Sequence, residues 1–194
     1  MVNDVFQNNQ GVPVIRDGDP ELQAAIRNKP HEYGRVFVMV NNEYLGHVGL
    51  VIGEGDEALL YDLSGTYSGC DYNTCKSQKK GFRGSGDMFE YPYFEWDDYL
   101  SYHLEDGFDI VVFEFIVKRE RLKAMYDNVD ESLSPGYFGC ARNVSRVLYE
   151  SGGDRFKNVL IGTPWGLKER LLNLQMEKGL LPYVYITTSD ISKK

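Results

Sequence analysis

The sequence predicts an α+β domain in which a central antiparallel sheet packs against a helix that carries a cysteine. Apolar runs rich in β-branched and aromatic residues predict strands at 35–40, 47–52 and 108–117. A glycine-rich turn joins the second run to another apolar stretch at 58–63, and two strands joined in this way form an antiparallel hairpin. Apolar side chains at helical spacing along 140–150, which begins with the cysteine, predict the helix.

The chain begins with a polar lead-in at 1–34, which glycines and prolines interrupt and which we expect to be mostly irregular. A short helix is predicted within it at 21–28. Asp19 is suited to cap that helix, and Pro20 is suited to its first position because the missing N–H would have no partner there.

We expect a single domain over 1–194, since this length buries an adequate core without staples. The region 64–107 is predicted to be an insertion or loop region over the sheet, because its first part is rich in Gly, Ser, Lys and Tyr without periodicity. Further elements are a short helix within 93–104, helices at 119–129 and 164–178, and a final strand at 181–187.

The charge of the chain excludes one class of partner. The formal net charge is −8, and no basic run interrupts it, so nucleic acid is not an expected partner. Residues 1–10 lack the basic and apolar segments of a secretory signal, and no stretch approaches the roughly 18 apolar residues of a membrane span. We therefore expect a protein that is made in the cytoplasm without a signal peptide and that spans no membrane.

Cysteine usage leaves one thiol without an obvious structural role. The chain has three cysteines, Cys70, Cys75 and Cys140. The first two are not at zinc-knuckle spacing, and no second Cys/His pair lies near them, so no metal site is expected. If they pair with each other, Cys140 remains as a free thiol.

Cys140 lies at the predicted N-terminus of a helix. Exposed N–H groups and a partial positive charge at that end lower the pKa of a thiol, and the thiolate is the reactive nucleophile. A lone cysteine at a helix start is also often a small buried core residue. A nucleophilic role therefore requires a base from another element, within hydrogen-bond range of the sulfur.

Of the three histidines, His47 is the best candidate for that base. It opens a predicted core strand, so its side chain can point from the sheet into a cleft. His31 lies in the polar lead-in and His103 in an acidic stretch, so we interpret both as surface residues.

A third polar group should then orient the imidazole. Asp62 on the adjoining strand is the first candidate, because an unpaired buried carboxylate there would be costly.

Ser64 is the alternative to Asp62, since it lies two residues further on the same strand face. Which of them completes the site depends on the register of the hairpin.

These residues carry a resemblance. The stretch 47–53, with Tyr61 and Asp62 on the next strand, resembles the His-bearing strands of the NlpC/P60 peptidases, a papain-like family. The stretch 137–152 around Cys140 is similar to that family's Cys-bearing helix. This chain departs from the family's common pattern Asp-Cys-Ser-Gly, since the corresponding residues are Gly139, Cys140, Ala141 and Arg142. The cysteine follows the histidine, which resembles the circularly permuted branch and the NlpC-like toxin domains of bacterial secretion systems.

The resemblance implies a papain-like cysteine amidase or endopeptidase that cleaves amide bonds in peptidoglycan stem peptides. Cys140 would be the nucleophile, His47 the base and Asp62 the third residue, with no cofactor. An acidic protein of this type without a signal resembles the antibacterial effectors of type VI secretion. Its partners would then be a peptidoglycan or muropeptide substrate, the secretion apparatus that exports it to the periplasm of a target cell, and a cognate immunity protein.

Two other interpretations remain open. Some permuted papain-like proteins are acyltransferases or lipid hydrolases that use the same acyl-cysteine chemistry. Alternatively, the papain-like shell is an inactive binding module, in which Cys140 is only a core residue with an ordinary thiol pKa.

Overall fold

The structure, a computed structural model, describes residues 10–63, 65–69, 88–91, 93–131, 139–176 and 184–185. Within these residues seven strands and five α-helices form an α+β fold, so the predicted class is confirmed. The strands are β1 (Val14–Ile15), β2 (Tyr33–Asn41), β3 (His47–Ile52), β4 (Leu59–Tyr61), β5 (Met88–Glu90), β6 (Ile110–Lys118) and β7 (Val184–Tyr185). The helices are α1 (Pro20–Asn28), α2 (Trp96–Leu104), α3 (Arg119–Glu131), α4 (Cys140–Ser151) and α5 (Pro164–Met176).

The sheet is built around β2. Its strand order is β5-β4-β3-β2-β6-β1-β7. All pairs from β5 to β6 are antiparallel, as predicted. Strand β1 pairs with β6 in parallel, which makes the whole sheet mixed. The expectation of an irregular lead-in missed β1, because a strand of two residues is too short to show an alternating pattern.

Successive side chains of β2 point to opposite faces of the sheet, as in any strand, and the apolar ones therefore belong to two separate cores. Val36 and Val38 belong to a cluster that also contains the apolar residues of α3, α4 and α5. Phe37 and Met39 belong to a second cluster, which contains residues of α2. Because both faces are covered, every residue of β6 except Lys118 is buried, which accounts for its nearly unbroken apolar run.

Helix α4 packs against β3 and lies between α3 and α5. Its inner face is apolar, and Val144, Val147 and Leu148 are completely buried there. Ser145 fastens the helix to the chain that follows it, because its hydroxyl donates to the carbonyl of Ile161 at 2.9 Å and accepts from the N–H of the same residue at 3.1 Å. These contacts hold the first residue of α4 beside the start of β3.

Helix α1 begins as the capping pattern predicts. Pro20 is its first residue, and the Asp19 carboxylate accepts hydrogen bonds from the N–H groups of Glu21 and Leu22, at 3.0 and 3.4 Å. The helix predicted at 21–28 is therefore confirmed, as are the four helices predicted further along the chain.

The region 64–107 contains regular structure at its end. Strand β5 extends the sheet beyond β4, and α2 covers one face. Residues 70–87 lie outside the described part of the chain, and so does most of the final strand predicted at 181–187, of which β7 is described. Among the described helices, none has the length and apolarity needed to cross a membrane.

A buried ion pair ties the N-terminal segment to the sheet. Asp17 is 2% exposed, and its carboxylate accepts two hydrogen bonds from the Arg155 guanidinium and one from the N–H of Ile116, the last at 2.8 Å. Arg155 also lies over the ring of Phe115, 4.8 Å from its centre. Since a buried charge without a partner is costly, the Asp17 carboxylate depends on the Arg155 guanidinium.

We expect Asp17→Ala to lower the free energy of unfolding by about 1–3 kcal/mol, because it leaves the buried N–H of Ile116 without its acceptor and removes the charge partner of Arg155. Urea unfolding followed by circular dichroism measures this. Asp127→Ala is the matched control, since Asp127 pairs with Lys123 on the exposed face of α3 and its loss should change stability little. Equal stabilities of the two variants would contradict the structural role of the Asp17 pair.

Candidate functional site

His47 and Asp62 come from the two strands of the β3–β4 hairpin. His47 is the first residue of β3, and Asp62, which is 1% exposed, directly follows β4. Tyr61 pairs with Leu50, so the chain beyond it runs back toward the start of β3. His47 Nε2 and Asp62 Oδ1 are 2.6 Å apart, and the two side chains are therefore hydrogen-bonded.

Cys140 is the first residue of α4 and contacts the same imidazole. A side-chain hydrogen bond joins it to His47, and backbone N–H groups of Val48 and Ala141 donate to the sulfur. Because His47 Nε2 is bonded to Asp62, Nδ1 is the ring nitrogen left for the sulfur. The structure thus brings the three predicted residues together in one continuous chain of hydrogen bonds.

The charges of the three groups support one another. Burial alone would lower the pKa of His47, but the charge of Asp62 and hydrogen bonds with Asp62 and Cys140 raise it to about 10. Burial alone would raise the pKa of Asp62 and that of Cys140, yet contact with His47 holds each below its ordinary value of 3.8 and 9.0, respectively. The site therefore favours a carboxylate, an imidazolium and a thiolate.

Tyr99 supports the carboxylate from α2. Its hydroxyl donates to Asp62 Oδ1 at 2.6 Å, and burial with the nearby Asp62 charge raises the pKa of Tyr99 well above its ordinary value, so it remains a donor. Two glycines make room for this arrangement. A Cβ atom at Gly49 would lie 2.1 Å from the Tyr99 oxygen, and one at Gly65 would lie 2.0 Å from Asp62 Oδ2.

His103 is a site residue that the sequence interpretation missed. It was expected on the surface but is 3% exposed, and its ring stacks on that of His47, with centres 4.9 Å apart and planes 12° apart. It also meets Tyr99 edge-on at 4.6 Å. The available signal was helical spacing, because Tyr99 and His103 are four residues apart and share one face of α2 with Leu100. His31, in contrast, is exposed as expected.

His47, Asp62 and His103 each place a potential metal ligand within 4.8 Å of the others. A metal ion bound to imidazole lies in the plane of the ring, about 2.0–2.1 Å from the nitrogen for zinc. The planes of His47 and His103 are nearly parallel and stacked, so their lone pairs do not converge on one point. The geometry suits a hydrogen-bonded pair with a stacked neighbour better than a shared metal ion.

A cavity of about 760 Å³ lies at the opposite end of the hairpin, between its turn and α3. Ile52, Ala58 and Tyr126 are among the residues that line it, and the described lining contains no cysteine or histidine. Ile52 and His47 are at opposite ends of β3, about 17 Å apart at the usual rise of a strand. The cavity is therefore separate from the thiol site.

Three residues named in the sequence analysis lie outside the described part of the chain: Ser64, Cys70 and Cys75. Of the two candidates for the third site residue, Asp62 is the one whose contact with His47 is described.

Comparisons with protein-family models, curated proteins and solved structures found no match to this chain.

We expect Gly49→Ala to lower the free energy of unfolding by about 1–3 kcal/mol, because the added methyl group overlaps the Tyr99 hydroxyl in a packed core. Urea unfolding measures the change. Gly162→Ala is the control, since nothing lies within 4 Å of a Cβ atom at that position. If both variants unfold like the parent protein, the close approach of Tyr99 to β3 is wrong.

The reactivity of Cys140 should depend on pH in a way that reports its contact with His47. Because the pKa of the thiol is lowered, iodoacetamide should label Cys140 at half its maximal rate below pH 9.0. His47→Ala removes the imidazolium but keeps the burial, so the inflection should move to higher pH and the rate at pH 7 should fall about tenfold or more.

Mass spectrometry of the Cys140 peptide separates this labelling from that of Cys70 and Cys75. His31→Ala, which removes an exposed histidine, should leave the profile unchanged. An identical profile in the His47→Ala variant would refute the pairing.

Proposed function

We propose that the chain is a cysteine hydrolase of papain-like architecture, an amidase or endopeptidase that forms an acyl-enzyme on Cys140. The observation that carries this proposal is the continuous hydrogen-bonded chain from the Cys140 thiol through His47 to Asp62. A buried cysteine that only filled the core would not require an imidazolium, a buried carboxylate and two backbone donors around it.

Each residue has a defined part in the reaction. The Cys140 thiolate attacks the amide carbonyl carbon, and the carbon–nitrogen bond breaks as the His47 imidazolium gives its proton to the leaving amine. Water, deprotonated by His47, then hydrolyses the thioester. Asp62 orients the imidazole and stabilises its cation.

The start of α4 also supplies a site for the oxyanion. Cys140 is the first residue of the helix, so its N–H has no carbonyl of the same helix as a partner. The helix end carries a partial positive charge, which favours the negative oxygen of the tetrahedral intermediate.

The substrate class follows from the resemblance to NlpC/P60 peptidases, with the histidine strand before the cysteine helix. It is an amide bond in a peptidoglycan stem peptide, offered as peptidoglycan or as a muropeptide. In the same proposal the protein is an antibacterial effector, exported by a secretion apparatus to the periplasm of a target cell and blocked there by an immunity protein.

A second candidate function is transfer or hydrolysis of an acyl group from a lipid, and one surface feature favours it. Tyr44, Leu45 and Phe108, which we call the apolar rim, are 90%, 72% and 86% exposed. Tyr44 and Leu45 lie in the turn that leads into His47, and the N–H of Asn42 in this turn donates to the carbonyl of Asp109 at 2.9 Å. An apolar substrate would find contact area at this rim.

The test is to incubate the purified protein with muropeptides and to identify new amine and carboxyl termini by mass spectrometry. Cys140→Ala and His47→Ala should each reduce the rate of cleavage by on the order of a thousandfold or more. Asp62→Asn keeps the shape of the side chain but removes its charge, and it should also reduce the rate strongly. His31→Ala is the matched control and should retain full activity.

Cleavage that persists in Cys140→Ala would overturn the thiol mechanism. Release of fatty acid from phospholipid vesicles, without muropeptide cleavage, would favour the lipid function instead. If Cys140 labels only as an ordinary thiol and neither substrate reacts, the protein is a binding module.

A further inference from the structure

His103 lies against one face of the His47 ring, whereas Asp62 and Cys140 bond to nitrogens at the edge of that ring. The two rings are stacked, with centres 4.9 Å apart and planes 12° apart. His103 belongs to α2, and two tyrosines of the same helix, Tyr99 and Tyr102, contact its ring edge-on, with ring centres 4.6 and 5.2 Å away. Its backbone carbonyl accepts from the Asn41 side chain at 3.3 Å. The ring is thus fixed on several sides.

The polar atoms of His103 do not explain its position. Both ring nitrogens are buried, and neither has a hydrogen-bond partner among the described residues. Buried polar groups are nearly always hydrogen-bonded, because leaving them bare is costly. The flat aromatic face of His103, in contrast, is in direct contact with His47.

The charge around His103 keeps it neutral. Burial and the positive charge of His47 lower its pKa to about 4, against the opposing influence of the Asp62 carboxylate. The groups that face it are His47, Asp62, Tyr99 and Tyr102. A neutral ring stacked on a cationic one attracts it through the electrons of its face, and this attraction is stronger where water is excluded.

We propose that His103 is a positioning residue that holds the His47 imidazolium between Asp62 and Cys140 by stacking on it as a neutral ring. The proposal rests on the proposed use of His47 as partner of the Cys140 thiolate, but it does not depend on the substrate. Without this stacking contact, the His47 ring can rotate about its side-chain bonds and lose its position between the Cys140 sulfur and the Asp62 carboxylate.

The experiment compares flat and non-flat replacements by the pH dependence of Cys140 labelling with iodoacetamide. His103→Leu and His103→Met remove the aromatic face and should move the inflection up by about one pH unit, which is a tenfold loss of thiolate below it. His103→Phe keeps a flat face and needs no hydrogen bonds, so its profile should stay near that of the parent. Circular dichroism selects variants that are folded.

A folded His103→Leu or His103→Met variant with an unchanged labelling profile would overturn the proposal. If none of the variants folds, ¹⁵N NMR of the histidine rings in the parent protein still tests it. His103 should remain neutral from pH 5 to 8 while His47 is an imidazolium, and titration of His103 in that range would also overturn it.

Labelling needs no substrate, so this outcome is independent of the cleavage assay. A parent protein that cleaves no muropeptide but shows the expected labelling profiles would refute the proposed function and leave the role of His103 intact.

Discussion

A carboxylate removed from water must find opposite charge and hydrogen-bond donors, and at Asp62 this requirement shapes the surrounding structure. The side chain is 1% exposed, and one of its oxygens accepts hydrogen bonds from both His47 and Tyr99. Because Gly49 and Gly65 have no Cβ atom, there is room for the Tyr99 hydroxyl beside Gly49 and for the carboxylate itself beside Gly65. The imidazolium that pairs with the carboxylate is the same group that favours a thiolate at Cys140. One ion pair therefore both stabilises the buried carboxylate and lowers the pKa of the thiol.

The scaffold supplies this ion pair and the thiol from opposite directions. The β3–β4 hairpin carries His47 and Asp62, and it is held in the sheet by β2, which pairs along the whole length of β3. Helix α4 packs on one face of the same sheet and brings Cys140 to the start of β3, whereas α2 packs on the other face and brings Tyr99. The site thus lies where two separate cores meet at the end of a strand.

The sequence predicts the parts of this arrangement whose patterns are local. Strand β3 and helix α4 show clear periodicity, and His47 and Cys140 stand at their first positions, so both elements and both residues could be identified. The choice between Asp62 and Ser64 depended on register, which an alternating pattern alone does not fix. His103 was misread because acidic neighbours suggested exposure, while its burial results from packing of α2 on the sheet. Strand β1 was missed because two residues are too few to show an alternating pattern, and its pairing with β6 is entirely non-local.

The hairpin has a consequence for how the site is assembled. His47 and Asp62 are 15 residues apart in the chain, so their contact closes a short loop and can form early in folding. Cys140 joins only after the much longer segment between has been made and α4 has docked. During synthesis from the N-terminus both residues of the imidazole–carboxylate pair therefore emerge before the residue that carries the thiol. The pKa of the thiol is lowered only where His47 lies beside it, so this property belongs to the completed fold and not to the nascent chain.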